Sequence, residues 1–139
     1  MVDLGNRVVG QFCWVDLAAT DAGSAKAFYG QLFGWTSSEQ TVNGGSFTRL
    51  QLPGRDIGSL YQLQQDHITD GVPSHWTPYI RVDDLDDTVR RVPLHGGKVL
   101  VRPFAVAAFA RIALILDSVG AHVGLWEPLE ANVKEDAHG

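Results

Sequence analysis

The 139-residue sequence predicts an α+β fold built from two copies of one βαβββ unit. The stretch at residues 11–35 has an echo at residues 77–100, and a shift of 63 positions places Asp21 on Asp84 and Gly34 on Gly97. Each copy has the pattern of a strand, an acidic helix N-cap, a helix with periodic apolar residues, a glycine and further strands. We expect the two units to form curved mixed sheets round a cavity, with the helices on the outer faces.

A second alignment supports the repeat, because residues 54–60 match residues 120–126 at an offset of 66. The chain is therefore interpreted as a single domain of two modules. Its predicted parts are the first module at 8–63, a polar linker at 64–75, the second module at 76–128 and a polar tail at 129–139.

Composition narrows the classes of function. The chain is 45% hydrophobic, enough to bury a core, and its net charge of −5 argues against a nucleic-acid partner. No apolar run approaches the roughly 20 residues that span a bilayer. The first ten residues lack the apolar segment of a signal peptide, and the single cysteine, Cys13, excludes an internal disulfide. We expect a cytoplasmic protein with no membrane partner.

The first copy begins with a predicted strand at 12–17. A helix follows at 22–33, with Asp21 as its N-cap and Gly34 as the residue that ends it. Strands are then predicted at 35–42, 47–52 and 56–63, joined by a hairpin at 43–45 and a turn at 53–54.

The second copy repeats this order from about Trp76. Asp84 caps a helix that Pro93 is expected to kink or to end early, because proline removes a backbone donor. Strands are predicted at 98–101, 111–116 and 121–126, and the apolar residues 102–110 are interpreted as a connection between strands.

Alternation along the first strand predicts its two faces. Cys13, Val15 and Leu17 form an apolar face suited to packing under a helix. The opposite faces of the strands are predicted to line the cavity and to bind a ligand. The residues assigned to them are Phe12, Trp14, Asp16, Leu60, Gln62, Thr77, Tyr79, Arg81, His122 and Trp126.

That set combines aromatic side chains with a few polar anchors, as small-molecule sites do. The alternative is that Trp14, Tyr79 and Trp126 simply fill a core. Asp16 and Arg81 are expected on the same kind of face, where they pair with each other or orient a ligand. Asp16 and His122 are the candidate catalytic residues, Asp16 as a general base, although a lone histidine on a strand is usually structural.

The repeat and its motifs resemble the vicinal oxygen chelate superfamily, which includes glyoxalase I, extradiol dioxygenases and bleomycin-resistance proteins. The motifs are DAGSAKAFYGQLFGW, PYIRVDDLDDTV with HGGKVLV, and DSVGAHVGLWEP. The stretch HW-x-PY-x-x-VDD at residues 75–84 is similar to that of glyoxalase-like members of unassigned function.

The resemblance implies a divalent metal held by His, Gln or Glu at matching points of the two copies. Those positions carry Trp14, Gly58, Thr77 and Gly124, none of which is a good ligand. We therefore expect no bound metal and no other cofactor. The two glycines are interpreted as leaving room for a ligand.

The resemblance implies two alternative functions. The first is a metal-free protein that binds a small aromatic or hydrophobic molecule, as bleomycin-resistance proteins do. The second is an enzyme, a lyase, isomerase or dioxygenase-like oxidoreductase, with an atypical metal or acid–base residues. Resembling proteins often have four units where this chain has two, and uncovered sheet edges favour pairing. A two-fold homodimer is expected, with cavities at or beside its interface.

Overall fold

The structure, a computed structural model, describes residues 8–42, 45–106 and 109–129. The strands are β1 Phe12–Ala19, β2 Thr36–Val42, β3 Gly45–Leu52, β4 Arg55–Gln62, β5 His75–Arg81, β6 Lys98–Val106, β7 Ala110–Leu116 and β8 His122–Pro128. The helices are α1 Ala22–Phe33, α2 Gln65–Thr69 and α3 Leu85–Arg91, followed by a 3₁₀ turn at Pro93–His95. Most of the predicted hairpin and nearly all of the predicted tail lie outside the described residues.

The described chain divides into two compact units. Residues 15–77 form what we call the first-repeat unit, and residues 8–14 with 78–129 form the second-repeat unit. In the first, the strand order is β2-β3-β4-β1, with β1 parallel to β4 and the other pairs antiparallel. In the second, the order is β5-β8-β7-β6, with β5 parallel to β8. Each unit therefore combines parallel and antiparallel strand pairs, so the predicted mixed pairing is confirmed.

Local capping sets the bounds of α1. The Asp21 carboxylate accepts a 3.0 Å hydrogen bond from the Ser24 amide, which satisfies a free donor of the first turn. Gly34 ends the helix in the left-handed region, with φ 76°. Leu17, Leu50 and Leu60 form the buried cluster of this unit, and the half-buried side of α1 packs against it. The sequence prediction for this helix is confirmed.

The helix of the second repeat, α3, is shorter than α1 for the reason that the sequence indicated. Asp84 caps it by accepting a 3.0 Å hydrogen bond from the Asp87 amide. It ends at Arg91, with Val92 as its C-cap, before the 3₁₀ turn that begins at Pro93, so the predicted early end is confirmed. Leu85 is fully buried and anchors α3 against β7 and β8.

Two connections differ from the predictions. The linker contains a helix, α2, which the polar composition of 64–75 did not indicate. The apolar stretch predicted as a connection is largely strand, because β6 continues through Pro103 to Val106. β6 ends the strand order of its sheet, and an edge strand tolerates proline because one side of it needs no donor for the ladder.

Within the described ranges, no helix combines the length and the apolar character that crossing a membrane requires.

Candidate ligand-binding site

Among the acidic residues described in the first-repeat unit, Asp16 has the most strongly shifted pKa. Asp16 pairs with Ser59 across the parallel strands β1 and β4, and the Ser59 hydroxyl donates a 2.7 Å hydrogen bond to Oδ1 of Asp16. Burial raises the pKa of Asp16 from 3.8 to about 6, although the Ser59 bond and the charge of His75 both lower it. This carboxyl group therefore changes charge near neutral pH.

Tyr61 lies two residues beyond Ser59 on the same side of β4. Burial raises its pKa, and the negative charge of Asp16 raises it further. The phenol is therefore held in its protonated form, in which it can donate a hydrogen bond to an oxygen of a bound molecule.

His75 begins β5 and contributes an imidazole to the same group of residues. Its Nδ1 lies 2.9 Å from the Pro73 carbonyl oxygen, which can only accept, so Nδ1 carries the proton. In the neutral ring, the lone pair is consequently at Nε2. His75 also acts electrostatically on Asp16, because its charge lowers the pKa of that carboxyl group.

Strand alternation explains why these side chains share one face. Leu17 and Leu60 are register partners and pack beneath α1, so Asp16 and Ser59 point to the opposite side of the sheet. On β5, Trp76 packs against aromatic residues on the α1 side, which places His75 on the opposite side. We call this side, which carries Asp16, Ser59, Tyr61 and His75, the far face.

β3 adds a charged pair to the far face. Arg49 is the register partner of Ser59, and its Nη1 lies 2.7 Å from Oδ2 of Asp56. The side chain of Gln51 donates a 2.9 Å hydrogen bond to the other oxygen of Asp56. Because these residues are half-buried, the far face is a connected polar surface, not a fully solvated one.

Two residues predicted for the ligand face lie on the helix side of the same sheet. Leu60 is 1% exposed and belongs to the cluster beneath α1. The Gln62 side chain accepts from the Ala22 amide at 2.8 Å and donates to the Thr20 carbonyl at 2.8 Å, so it secures the start of α1. The predicted face of both residues was wrong. Leu60 pairs with Leu17 and Gln62 pairs with Ala19, so both lie on the face opposite Asp16.

The predicted aromatic residues of the second-repeat unit pack against one another. The rings of Trp14 and Trp126 are 5.5 Å apart, and Tyr79 meets Trp126 edge to face at 6.0 Å. Cys13, predicted to lie under a helix, is buried in the same cluster. Tyr79 and Trp126 are 3% and 8% exposed, so within this unit they are core residues.

Gly124 has a different role from the one predicted. A Cβ atom at this position would lie 2.2 Å from Cδ2 of Tyr79, well inside any contact distance. The glycine therefore makes room for the Tyr79 ring. Gly58 is constrained similarly, since a Cβ there would lie 3.0 Å from the Val15 carbonyl oxygen.

The remaining predicted residues have varied positions. Thr77 is buried, whereas Phe12 is 60% exposed and His122 is exposed. Arg81 is half-buried, and its amide donates to the Gln11 carbonyl at 2.9 Å. The structure thus groups Asp16 with partners that the sequence did not indicate. Ser59, Tyr61 and His75 were missed because their face depends on strand register. For Ser59 and Tyr61, their alternation with Gly58 and Leu60 along β4 was the available signal.

The four positions at which the resemblance implies a metal do not suit one. Trp14 packs on Trp126, Gly124 lies under Tyr79, and neither Gly58 nor the Thr77 hydroxyl is a strong donor. In the part of the chain that the structure describes, no three His, Cys, Asp or Glu side chains are grouped as ligands. The donor set does not fit a divalent ion, and we derive no chemistry through one.

Comparison with curated proteins identifies relatives. The chain is 37% identical over 116 residues to "Putative glyoxylase CFP32" of Mycobacterium tuberculosis, covering 82% of this chain and 44% of the relative. It is 31% identical over 124 residues to the anthracycline biosynthesis protein DnrV of Streptomyces peucetius, covering 81% and 45%. The chain therefore spans about half the length of these relatives.

Solved structures share the fold. Methylmalonyl-CoA epimerase from Mycobacterium tuberculosis superposes with a TM-score of 0.63 at 20% identity, covering 95% of this chain and 99% of the epimerase. Hypothetical protein BH1468 from Bacillus halodurans gives 0.65 at 16% identity, covering 87% and 96%. The family model described as the Glyoxalase/Bleomycin resistance protein/Dioxygenase superfamily matches residues 11–124. With this match across most of its length, the chain belongs to that superfamily, and its α+β fold of paired βαβββ units is the fold of the family.

Proposed function

We propose that this chain is a small-molecule-binding domain whose far face holds an aromatic or hydrophobic ligand carrying a hydrogen-bond donor. The observation that carries the proposal is the half-buried Asp16 carboxyl group, with its pKa raised to about 6. A carboxylate kept from water binds a donor more strongly than an exposed one, because fewer solvent molecules compete. Ser59 holds one oxygen of the carboxyl group in place.

The names of the relatives support the aromatic class of ligand. DnrV of Streptomyces peucetius and DauV of Streptomyces sp. are both named as anthracycline biosynthesis proteins. Anthracyclines are planar aromatic molecules with phenolic hydroxyl groups. A phenolic donor suits Asp16, and Tyr61 can donate to a neighbouring carbonyl oxygen of the same molecule.

A second candidate function is proton transfer at carbon. A base is most useful when its pKa lies near the working pH, and Asp16 satisfies that condition. In this reaction, the Asp16 carboxylate takes a proton from the carbon next to a carbonyl. The C–H electron pair forms a C=C bond and the carbonyl π pair moves onto oxygen, which accepts from Tyr61. Delivery of a proton from water to the opposite face of the same carbon inverts that centre, while Asp16 releases its proton to water, so the isomerisation needs no oxidant. The relatives named glyoxylase and epimerase support this class of reaction.

Titration calorimetry with a dihydroxyanthraquinone tests the binding proposal. The wild-type protein should bind it more tightly at pH 8 than at pH 5, because ionised Asp16 is the stronger acceptor. Asp16→Asn should weaken binding at pH 8 by at least about tenfold, as expected for a hydrogen bond to a charged group. The exposed Asp70→Asn variant is the matched control and should bind as the wild type does. Equal affinity of the Asp16→Asn protein and the wild type would refute the site.

Deuterium exchange separates the two candidate functions. A small carbonyl compound incubated with the protein in D2O should exchange its α-proton, measured by proton NMR, only if Asp16 acts as a base. If the α-proton exchange is lost in the Asp16→Asn variant and kept in the Asp70→Asn variant, the protein acts as an enzyme. Saturable binding of the anthraquinone without exchange in a panel of carbonyl compounds would favour the binding protein.

A further inference from the structure

The apolar side chains of α1 are distributed in an unusual way. The side facing the sheet carries Ala22, Ala25 and Tyr29, all half-buried. The larger residues Phe28 and Leu32 point outward and are 56% and 59% exposed. A helix that only covered its own sheet would have the opposite arrangement, with polar residues outside.

These outward residues belong to a wider aromatic surface. Phe33 is 56% exposed and Trp76 is 37% exposed, and both contact the ring of Tyr29, at 6.2 and 5.6 Å. Trp76 also donates a 3.2 Å hydrogen bond to the Tyr29 hydroxyl, which fixes the orientation of both rings. We call the exposed residues Phe28, Leu32, Phe33 and Trp76 the α1 surface.

The size of the α1 surface matches one half of a protein interface. At roughly 200 Å² for a large side chain, these exposed fractions leave an apolar area on the order of 400 Å². A contiguous patch of a few hundred Å² usually marks an interaction site. A standard interface takes about 800 Å² from each partner, of which a little over half is apolar. The α1 surface therefore supplies the apolar share of one partner.

The near absence of charge on α1 favours a second copy of the chain as the partner. Lys26 is the only charged residue of α1, and it pairs with Glu39 at 3.7 Å. A surface without charges offers no electrostatic attraction to an oppositely charged protein. It can meet an identical surface without repulsion, even though each chain has a net charge of −5.

We propose that the α1 surface is the two-fold interface of a homodimer, in which α1 of one copy packs against α1 of a second copy. This inference is independent of the proposed ligand and of the role of Asp16. It places the dimer contact on the helix side of the first-repeat sheet. The expectation drawn from the sequence had instead placed the cavities at or beside the interface.

Light scattering coupled to size exclusion tests the proposal. Across about 1–100 µM, the wild-type protein should have about twice the 15.1 kDa mass of the chain. The double variant Phe28→Glu with Leu32→Lys should be monomeric there, because truncating central aromatic contacts weakens interfaces by about 30-fold or more. The new residues lie four apart in the favourable Glu-to-Lys order, which supports the helix. Circular dichroism should confirm that the variant is folded.

Phe104→Glu is the matched control. Phe104 is 45% exposed on the edge strand β6, an apolar side chain outside the α1 surface on a strand edge that could pair with a second copy. This variant should remain a dimer. A monomeric wild-type protein would overturn the proposal. A dimer that survives the α1 double variant, or that Phe104→Glu dissociates, would place the interface elsewhere and overturn it equally.

Discussion

The Ser59 hydroxyl donates a 2.7 Å hydrogen bond to Asp16, and yet the pKa of Asp16 is raised to about 6. A hydrogen bond to a carboxylate lowers its pKa, so the burial of this carboxyl group outweighs the bond that Ser59 supplies. The fold thus keeps a carboxyl group in a position that is unfavourable for its charged form. Such positions are common at functional sites.

Asp16→Asn should change how stability depends on pH. In the folded chain Asp16 binds its proton more tightly than in the unfolded chain, where the pKa is near 3.8. Its contribution to stability is therefore complete below about pH 4 and is lost as the pH rises through about 6. The difference between the two pKa values corresponds to about 3 kcal/mol as an upper figure. Relative to the wild type, Asp16→Asn should gain up to about 3 kcal/mol between pH 4 and pH 8.

Urea unfolding at pH 4, 5, 6, 7 and 8 measures this gain. The exposed Asp70→Asn variant provides the control and should follow the wild-type curve at every pH. A constant difference between Asp16→Asn and the wild type across this range would contradict the raised pKa.

Ser59→Ala should destabilise the chain more at high pH than at low pH. At pH 8 the lost bond is made to a charged carboxylate, and its removal should cost about 1–3 kcal/mol. At pH 4.5 Asp16 is protonated and the same bond is weaker. The free energies of unfolding at the two values of pH test this expectation. A cost that is the same at both would show that Ser59 does not act on the charge of Asp16.

Gly124→Ala should destabilise the second-repeat unit. The new Cβ would lie 2.2 Å from the ring of Tyr79, so the ring or the strand must move, at a cost of about 1–3 kcal/mol or more. Tyr79→Ala alone should cost about 3–5 kcal/mol through the cavity it leaves. The double variant should cost less than the two single variants together, because the clash disappears with the ring.

Gly23→Ala is the control for that cycle. A Cβ atom added at Gly23 would lie 3.6 Å from the Asp21 carboxylate, which is an ordinary contact distance. Alanine also favours a helix more than glycine does. The thermal midpoint of this variant should equal or exceed that of the wild type. Strictly additive costs for Gly124→Ala and Tyr79→Ala would contradict the assigned role of the glycine.

Metal removal should leave the chain unchanged. Trp14, Gly58, Thr77 and Gly124 do not form a ligand set for a divalent ion. Protein purified without a metal-affinity tag should contain well under one equivalent of zinc, nickel, manganese or iron by elemental analysis. A chelator should not change the thermal midpoint. Stoichiometric metal, or a clear fall in the midpoint with chelator, would overturn the metal-free proposal.

The features that the sequence predicted well are set by neighbours in the chain. Asp21 caps α1 through an amide three residues away, and Pro93 stops α3 through its own missing donor. Helix bounds therefore follow from local chemistry. The edge position of β6, which allows a strand to continue through Pro103, depends on the order of all the strands in its sheet.

The candidate site could be predicted only in part for the same reason. Asp16 was identified as a polar residue on a strand face, and the structure confirms that it is turned away from α1. Ser59 and His75 were missed because the face of a strand residue depends on which residue of another strand it pairs with. The role of Gly124 depends on the ring of Tyr79, 45 positions away in the sequence, and no local pattern indicates it.

The raised pKa of the Asp16 carboxyl group, about 6, can be measured directly. The most direct measurement is an NMR titration that follows the side-chain carboxyl carbon of Asp16 in ¹³C-labelled protein, assigned by its loss in Asp16→Asn. We predict a midpoint at about pH 6. A midpoint close to the ordinary aspartate value of 3.8 would show that Asp16 is fully ionised throughout the physiological range and would contradict the raised pKa.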